Sequence, residues 1–259
     1  MYLENPGIYY EIYNSGKPVI FLNGIMMNTL SWNAHIEKFD KNLKIILYDA
    51  RDEGKSAKLK EGYDIHIHTD DLKKLIDHLG EEKVNLVGLS YGGQIAQNFV
   101  LKYPEMVEKL VLVNTTDHID NYLNSVGEVW KYASKTYEGD TFFDLALPFI
   151  YSRTFYNENF EWLSKRRDMF KDILTKDWFD AFIRLASSNN NWTVKDKISE
   201  IKSKTLLIAG DEDIITPLSE MQRMHKSIKN SELVVIENAG HGLFLEKIEE
   251  FCNIINKFF

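Results

Sequence analysis

The stretch with the plainest chemical potential runs Gly88-Leu89-Ser90-Tyr91-Gly92, a G-x-S-x-G spacing. A serine hydroxyl becomes a useful nucleophile when it stands exposed on a sharp strand-to-helix turn beside a group that takes its proton. Gly88 and Gly92 suit such a turn, because neither has the Cβ that would block a strained bend. The pattern arises by chance in roughly one chain in ten of this length at average glycine and serine usage, so its surroundings decide. Val84 to Val87 form a short apolar run, and Ile95, Ala96, Phe99 and Val100 recur at the spacing of one helix face. A buried strand is therefore expected to turn into a helix at Ser90, the context that a nucleophile elbow requires.

Serine chemistry also asks for an imidazole base and for a carboxylate that fixes its tautomer. Among the seven histidines, His35, His78 and His225 fall in helical stretches and His118 heads a long segment without strands. His241 alone sits in a Gly-flanked turn after a strand-like run, Asn238-Ala239-Gly240-His241-Gly242, and is the expected base. His66 and His68 alternate as metal ligands on a strand could, but no cysteine or carboxylate pattern accompanies them, and no metal is expected. For the acid, Asp211, Glu212 and Asp213 lie together after a strand, and Asp117 at the end of the preceding strand is another place from which a carboxylate could reach the histidine. Residue type leaves the choice among them open.

These groups must be positioned by a scaffold, and the apolar runs supply one. Strands are expected over residues 8–13, 19–22, 44–48, 84–89, 109–113, 205–209 and 232–236, most of them apolar on both faces. Helices are expected over 32–39, from a Thr69 cap to a stop at Gly80, over the stretch after Ser90, and from 244 to the end. This alternation predicts an α/β fold, a mostly parallel twisted sheet flanked by helices on both sides. The rhythm breaks after Asp117, where no strand-like run appears until beyond Trp192. The expected organisation is a core domain of residues 1–116 and 193–259 with an all-helical cap inserted at 117–192. An insert at the carboxyl edge of such a sheet should lie over Ser90 as a lid. Its many aromatics, among them Trp130, Tyr132, Phe142, Phe143, Phe149, Tyr151, Phe155, Tyr156, Trp162, Trp178, Phe179 and Trp192, are expected in part to line an apolar ligand cavity. The basic run Lys165-Arg166-Arg167 lies between helical apolar positions and is expected to face water.

Composition narrows the partners. With 31 Lys and Arg against 39 Asp and Glu the net charge is -8, and the basic residues are scattered rather than gathered in a stripe. No nucleic-acid partner is expected. Cys252 is the only cysteine, so no intrachain disulfide can form. Residues 1–13 lack a secretory pattern and the apolar runs are strand-sized, so no membrane association and a cytoplasmic location are expected. Nothing in the sequence specifies an oligomeric state.

Over essentially its whole length the sequence resembles the α/β-hydrolase fold family, in the branch of small cytoplasmic esterases and lactonases with a helical cap between the sixth and seventh strands. Gly88 to Gly92 resembles the nucleophile elbow, Gly210-Asp211-Glu212-Asp213-Ile214-Ile215-Thr216-Pro217 the acid loop, and Asn238 to Gly242 the histidine loop, in the family's order. The resemblance implies Asp213 as the acid, by its register to Pro217. It implies an oxyanion hole made of the backbone N–H groups of Tyr91 and of Ile25, the latter in the loop Asn23-Gly24-Ile25-Met26, where Asn23 replaces the usual histidine. Asp49-x-Arg51 resembles the family's D-x-R-G-x-G-x-S turn with Asp52 in place of its first glycine, and is read as structural. The implied activity is cofactor-free transfer of an acyl group to water, on a small hydrophobic carboxylic ester, lactone or thioester. Serine at the elbow speaks against the family's dehalogenases and epoxide hydrolases, which use a carboxylate nucleophile. Carbon–carbon bond hydrolysis, cofactor-free perhydrolysis, and a hydrolase-fold receptor with slow or single-turnover cleavage remain alternatives.

Overall fold

Strand β5 (Val84–Leu89) runs through the middle of the molecule with all six residues buried, and the remaining elements are arranged about it. The structure, a computed structural model, describes residues 1–259. The other strands are β1 (Tyr2–Leu3), β2 (Ile8–Tyr13), β3 (Lys17–Leu22), β4 (Leu43–Tyr48), β6 (Val107–Val113), β7 (Lys204–Gly210) and β8 (Ser231–Ile236). They form one eight-stranded sheet in the order β1-β2-β4-β3-β5-β6-β7-β8. The β1–β2 and β2–β4 pairs are antiparallel and all others are parallel.

Both faces of the sheet are covered, which is why its strands read as continuous apolar runs. Ile20, Leu22, Leu86 and Leu112 point into a layer shared with helices α1 (His66–Leu79), α2 (Tyr91–Lys102) and α8 (Leu218–Ser227), through Leu75, Phe99 and Met221. Val19, Phe21, Val87 and Val111 point the other way, onto Trp32, Phe39 and the last helix α10 (Ile248–Phe258) with its Phe251 and Ile255. Each fully buried side chain of this kind contributes about 1.5–3 kcal/mol by leaving water. That rigid slab fixes the carboxyl ends of β3, β5, β6, β7 and β8, where the candidate residues lie.

Three helix expectations are corrected. Residues 32–39 form no continuous helix but two short 3-10 turns, Thr29–Trp32 and Ile36–Lys38. The first is capped by Asn28, and His35 is pinned between them by its ring Nε2 against the Phe244 carbonyl (2.7 Å). Helix α1 starts at His66 rather than after Thr69, because the Asp64 carboxylate already accepts the His66 N–H at 2.9 Å. His66 and His68 therefore sit in one helical turn and not on a strand. The C-terminal helix is broken at Lys247 into α9 (Leu243–Glu246) and α10.

Between β6 and β7 the chain makes five helices, α3 (Asn121–Ser134), α4 (Gly139–Ile150), α5 (Arg153–Glu158), α6 (Phe160–Ile173) and α7 (Lys176–Ser187). A bridge between His118 and Thr193 closes the neck of the insert. Its aromatics turn mainly on one another. Phe142 meets Trp178, Phe179 and Phe182 at centroid distances of 5.1–5.9 Å, Phe143 packs on Phe170 at 5.2 Å, and Tyr151 stacks on Phe155 at 5.0 Å. Lys165 is exposed and paired with Glu161, Arg166 lies over the Trp162 ring, and Arg167 pairs with Asp144. Several hydrogen bonds hold the insert to the core, among them Arg184 to Asp52, Ser152 N–H to Glu246, Gly242 N–H to the Ile150 carbonyl and Asn189 to Gln94. No helix is long and apolar enough to cross a membrane.

Candidate active site

Ser90 sits where β5 ends and α2 begins, at φ 52° and ψ -116°. A left-handed φ at a residue with a side chain costs about 1–3 kcal/mol and persists only where the surroundings over-determine it. Here they do: Ser90 N–H donates to the Val113 carbonyl (2.9 Å), while its own carbonyl accepts from Gly93 N–H (2.9 Å) and the Thr115 hydroxyl (2.7 Å). The elbow glycines serve close approach rather than unusual torsions. A Cβ on Gly92 would stand 2.2 Å from the Leu22 carbonyl oxygen, and one on Gly88 would stand 2.6 Å from that of Gly92.

The loops after β7 and β8 bring the other two groups to the serine. His241 Nε2 lies 2.8 Å from Ser90 Oγ, and its Nδ1 lies 2.8 Å from Asp213 Oδ2. Asp213 is buried and already accepts from Ile215 N–H (2.8 Å), Thr216 N–H (3.0 Å) and the Thr216 hydroxyl (2.8 Å). A carboxylate so surrounded can only accept, so Nδ1 carries the proton and Nε2 is left to accept from the serine hydroxyl. Asn114, fully buried at the end of β6, fixes the two loops against each other. Its Nδ2 donates to the carbonyls of Gly240 (2.9 Å) and His241 (3.0 Å), and its Oδ1 accepts the Gly210 N–H (2.9 Å).

Across from the imidazole lies the loop after β3. The N–H groups of Ile25 and Tyr91 have no acceptor within the protein, and both residues line the cavity that contains Ser90 and His241. Asn23 orders this loop: its Nδ2 donates to the Tyr48 carbonyl (2.9 Å) and its Oδ1 accepts the Trp32 indole N–H (2.8 Å). The cavity measures about 70 Å³, room for on the order of five water molecules. Eight of its seventeen lining residues are hydrophobic, Leu123, Val126, Trp130 and Ile215 among them, and Gln94, Asn124, Asn189 and Asn190 form an amide-bearing wall. Of the insert aromatics expected to line the cavity only Trp130 does so, since most of the others pack on one another or on the core, Trp178 borders a separate small cavity, and Tyr132 and Trp162 are exposed.

The remaining sequence candidates lie elsewhere. Asp117 is clamped by Arg223 (2.7 and 2.8 Å) and lies 2.9 Å from His118 Nδ1, well occupied away from His241. Asp117, His118 and Glu220 converge, but the Arg223 guanidinium already fills the place a cation would take. Asp211 accepts the Ala239 N–H and Glu212 the Arg153 N–H. His66 is exposed, and His68 is buried with neither ring nitrogen bonded. The Asp49 carboxylate accepts Thr29 and Lys55 N–H groups and Arg51 grips Asp71, so this turn ties loops together. Sequence reasoning missed Thr216, Asn114 and Gln94. Thr216 lay inside the quoted acid loop and Gln94 one turn past Ser90, but Asn114 left no signal beyond its place at a strand end.

The comparisons with known proteins agree with this architecture. One solved structure, MGS-M2, an alpha/beta hydrolase enzyme from a Medee basin deep-sea metagenome library, superposes with a TM-score of 0.94 at 36% identity over 97% of this chain and 93% of its own. A thermophilic esterase from Thermogutta terrifontis gives 0.83 at 26% identity, over 97% of this chain and 92% of its own. The 2-hydroxy-6-oxo-6-phenylhexa-2,4-dienoate hydrolase of Comamonas testosteroni is 26% identical over 94% of this chain and 88% of its own. A model of the alpha/beta hydrolase fold matches residues 17–248, and the chain belongs to that hydrolase family.

Proposed function

We propose that the protein is a serine hydrolase that cleaves a small ester-like bond, a carboxylic ester, lactone or thioester, through an acyl-enzyme. One observation carries this reading: the unbroken relay from Ser90 Oγ through His241 to Asp213, with 2.8 Å at each step, at a cavity also lined by Ile25 and Tyr91, whose amides are unpaired. In the proposed cycle Ser90 Oγ attacks the carbonyl carbon as its proton passes to His241 Nε2, and Asp213 stabilises the imidazolium. The tetrahedral oxyanion accepts from Ile25 and Tyr91 N–H, donors whose loss in such sites costs about 10²–10³ in kcat. Collapse expels the alcohol or thiol with the proton from His241. Water, deprotonated by the same imidazole, then releases the acid and restores Ser90. None of these steps draws on a cofactor.

Residues 117–192 act as the cap over the core of 1–116 and 193–259, and they shape the acyl site. The apolar side chains Ile25, Leu123, Val126, Trp130 and Ile215 favour a short apolar acyl chain, while the amide wall accommodates a carbonyl or hydroxyl beyond it. Each methylene buried contributes about 0.8 kcal/mol, about fourfold in kcat/KM until the cavity is full. A series of p-nitrophenyl esters of rising acyl length, set against ω-carboxylate esters of equal length, tests the reading. Multiple turnovers with an optimum at short neutral chains are expected. A single stoichiometric burst would mean a receptor rather than an enzyme, and a preference for the anionic set would reject the apolar acyl site.

A further inference from the structure

Beside the oxyanion loop lies a carboxyl group that the proposed cycle leaves unused. Glu53, only 6% exposed in the turn after β4, accepts the Met26 N–H on its Oε1 at 2.7 Å. Met26 is held at φ 70°, a left-handed conformation seldom taken by a residue with a long side chain. It directly follows Ile25, a cavity-lining residue whose N–H has no acceptor within the protein. At the start of the loop Asn23 is tied to Tyr48 and Trp32, and past Met26 the Met27 side chain is buried in the core, so at Met26 itself the Glu53 bond is the side-chain hydrogen bond that holds the backbone. The loop has one internal backbone bond, Met27 N–H to the Gly24 carbonyl at 3.2 Å, and Met26 packs toward Trp178 and Phe182 beside a second, small cavity of about 20 Å³ that Asp52 and Glu53 also border. The segment bearing Glu53 is itself fastened. Asp52, at φ 67°, takes the place of the glycine expected in this turn, and its buried carboxylate receives Arg184 of α7 through Nε (3.0 Å) and Nη2 (2.7 Å).

Resting on the reading of Ser90 as nucleophile, we propose that Glu53 is a positioning residue for the reaction: its grip on Met26 N–H holds the Ile25 amide toward the developing oxyanion, and the Asp52–Arg184 pair anchors that grip to the cap. Burial, with the Asp49 and Asp52 carboxylates nearby, holds the Glu53 carboxyl well above the usual range, opposed by the Met26 N–H it accepts and by Lys58.

The test compares Glu53→Gln, which keeps an acceptor at the same reach, with Glu53→Met, which removes it. Steady-state kinetics on the best neutral ester are read with the affinity for an alkyl boronic acid, whose serine adduct places an oxygen in the hole, and for the matching alkyl alcohol, which does not. Glu53→Met is expected to lower kcat by about 10- to 100-fold, part of what loss of a whole oxyanion donor costs. KM and alcohol binding should stay within twofold, and boronate affinity should fall in step with kcat. Glu53→Gln should remain within threefold of wild type throughout. An undiminished kcat in Glu53→Met, a loss shared equally by alcohol binding, or equal damage in Glu53→Gln would overturn the proposal. Should Glu53→Met fail to fold, Glu53→Asp, one methylene short of Met26, carries the same readouts. Ser90→Ala run alongside separates the two readings: if active, both fall, and if inactive beside an unimpaired Glu53→Met, only the positioning role falls.

Discussion

Replacing Asp213 by Asn changes one atom in the relay, and the proposed roles predict the outcome. Asp213 Oδ1 is held by the Ile215 and Thr216 amides, so an asparagine keeps its carbonyl oxygen there and turns its NH2 toward His241 Nδ1 and the Thr216 hydroxyl. An NH2 group only donates, so Nδ1 must accept and the imidazole proton moves to Nε2, where it faces Ser90 Oγ. The base is then missing although nothing has moved. The same change in a serine-protease triad lowers kcat by about 10⁴, which corresponds to about 5.4 kcal/mol on the barrier. KM should hold within threefold. Stability should change only on the order of 1 kcal/mol, as one hydrogen bond is exchanged, or about 2–4 °C in Tm for a chain of this size. Asp117→Asn is the control: it weakens a buried ion pair with Arg223 and lowers Tm, but kcat should stay within threefold. Stopped-flow and steady-state assays on a p-nitrophenyl ester read all of this. A kcat within tenfold of wild type for Asp213→Asn, or a larger loss in Asp117→Asn, would refute the reasoning.

Two further outcomes follow from other parts of the molecule. His68 is fully buried without a partner, and burial, aided by the Arg51 charge, drives its pKa down to about 3. The unfolded chain takes up that proton near pH ~6.5 and the folded one does not, so this contribution to stability is full above that value. It is lost by about 1.4 kcal/mol per unit as pH falls toward about 3. Thermal melts should show Tm of wild type falling more steeply below pH ~6.5 than that of His68→Leu, and parallel curves would contradict the assignment. Gly127 lies in the interior of α3 and on the cavity wall, with no atom within 4 Å of a Cβ built on it. Gly127→Ala should raise stability by up to about 1 kcal/mol and shift the preferred acyl chain shorter. A lower Tm or an unchanged chain-length profile would count against the assigned cavity wall.

Much of this was legible in the sequence where one local cause dominates. Strands β5, β6 and β7 are buried on both faces, so their apolar runs had no competing reading, and the elbow glycines announced the close approach of Gly92 to Leu22. Legibility failed where a distant partner decides. Trp32, Ile36 and Phe39 mimic one helix face, but the backbone there obeys the Asn28 cap and the His35 contact with Phe244, more than two hundred residues away. Thr69, Asp70 and Asp71 look like a helix start, yet Asp71 belongs to Arg51 and Asp64 begins the helix a turn earlier. Asp117 and Asp213 are the same residue type at the ends of neighbouring strands, and only Arg223 and Thr216 tell their roles in the fold apart. Aromatic count likewise cannot say whether a ring meets another ring or a void, and in the cap most meet rings.

Mass spectrometry of the protein treated with a fluorophosphonate tests whether Ser90 is the nucleophile. One equivalent should bind, located on the peptide containing Ser90, with turnover lost in proportion and with Ser90→Ala neither labelled nor active at an unchanged Tm. Labelling elsewhere with Ser90 unmodified, or a Ser90→Ala variant that still turns over ester, would contradict it.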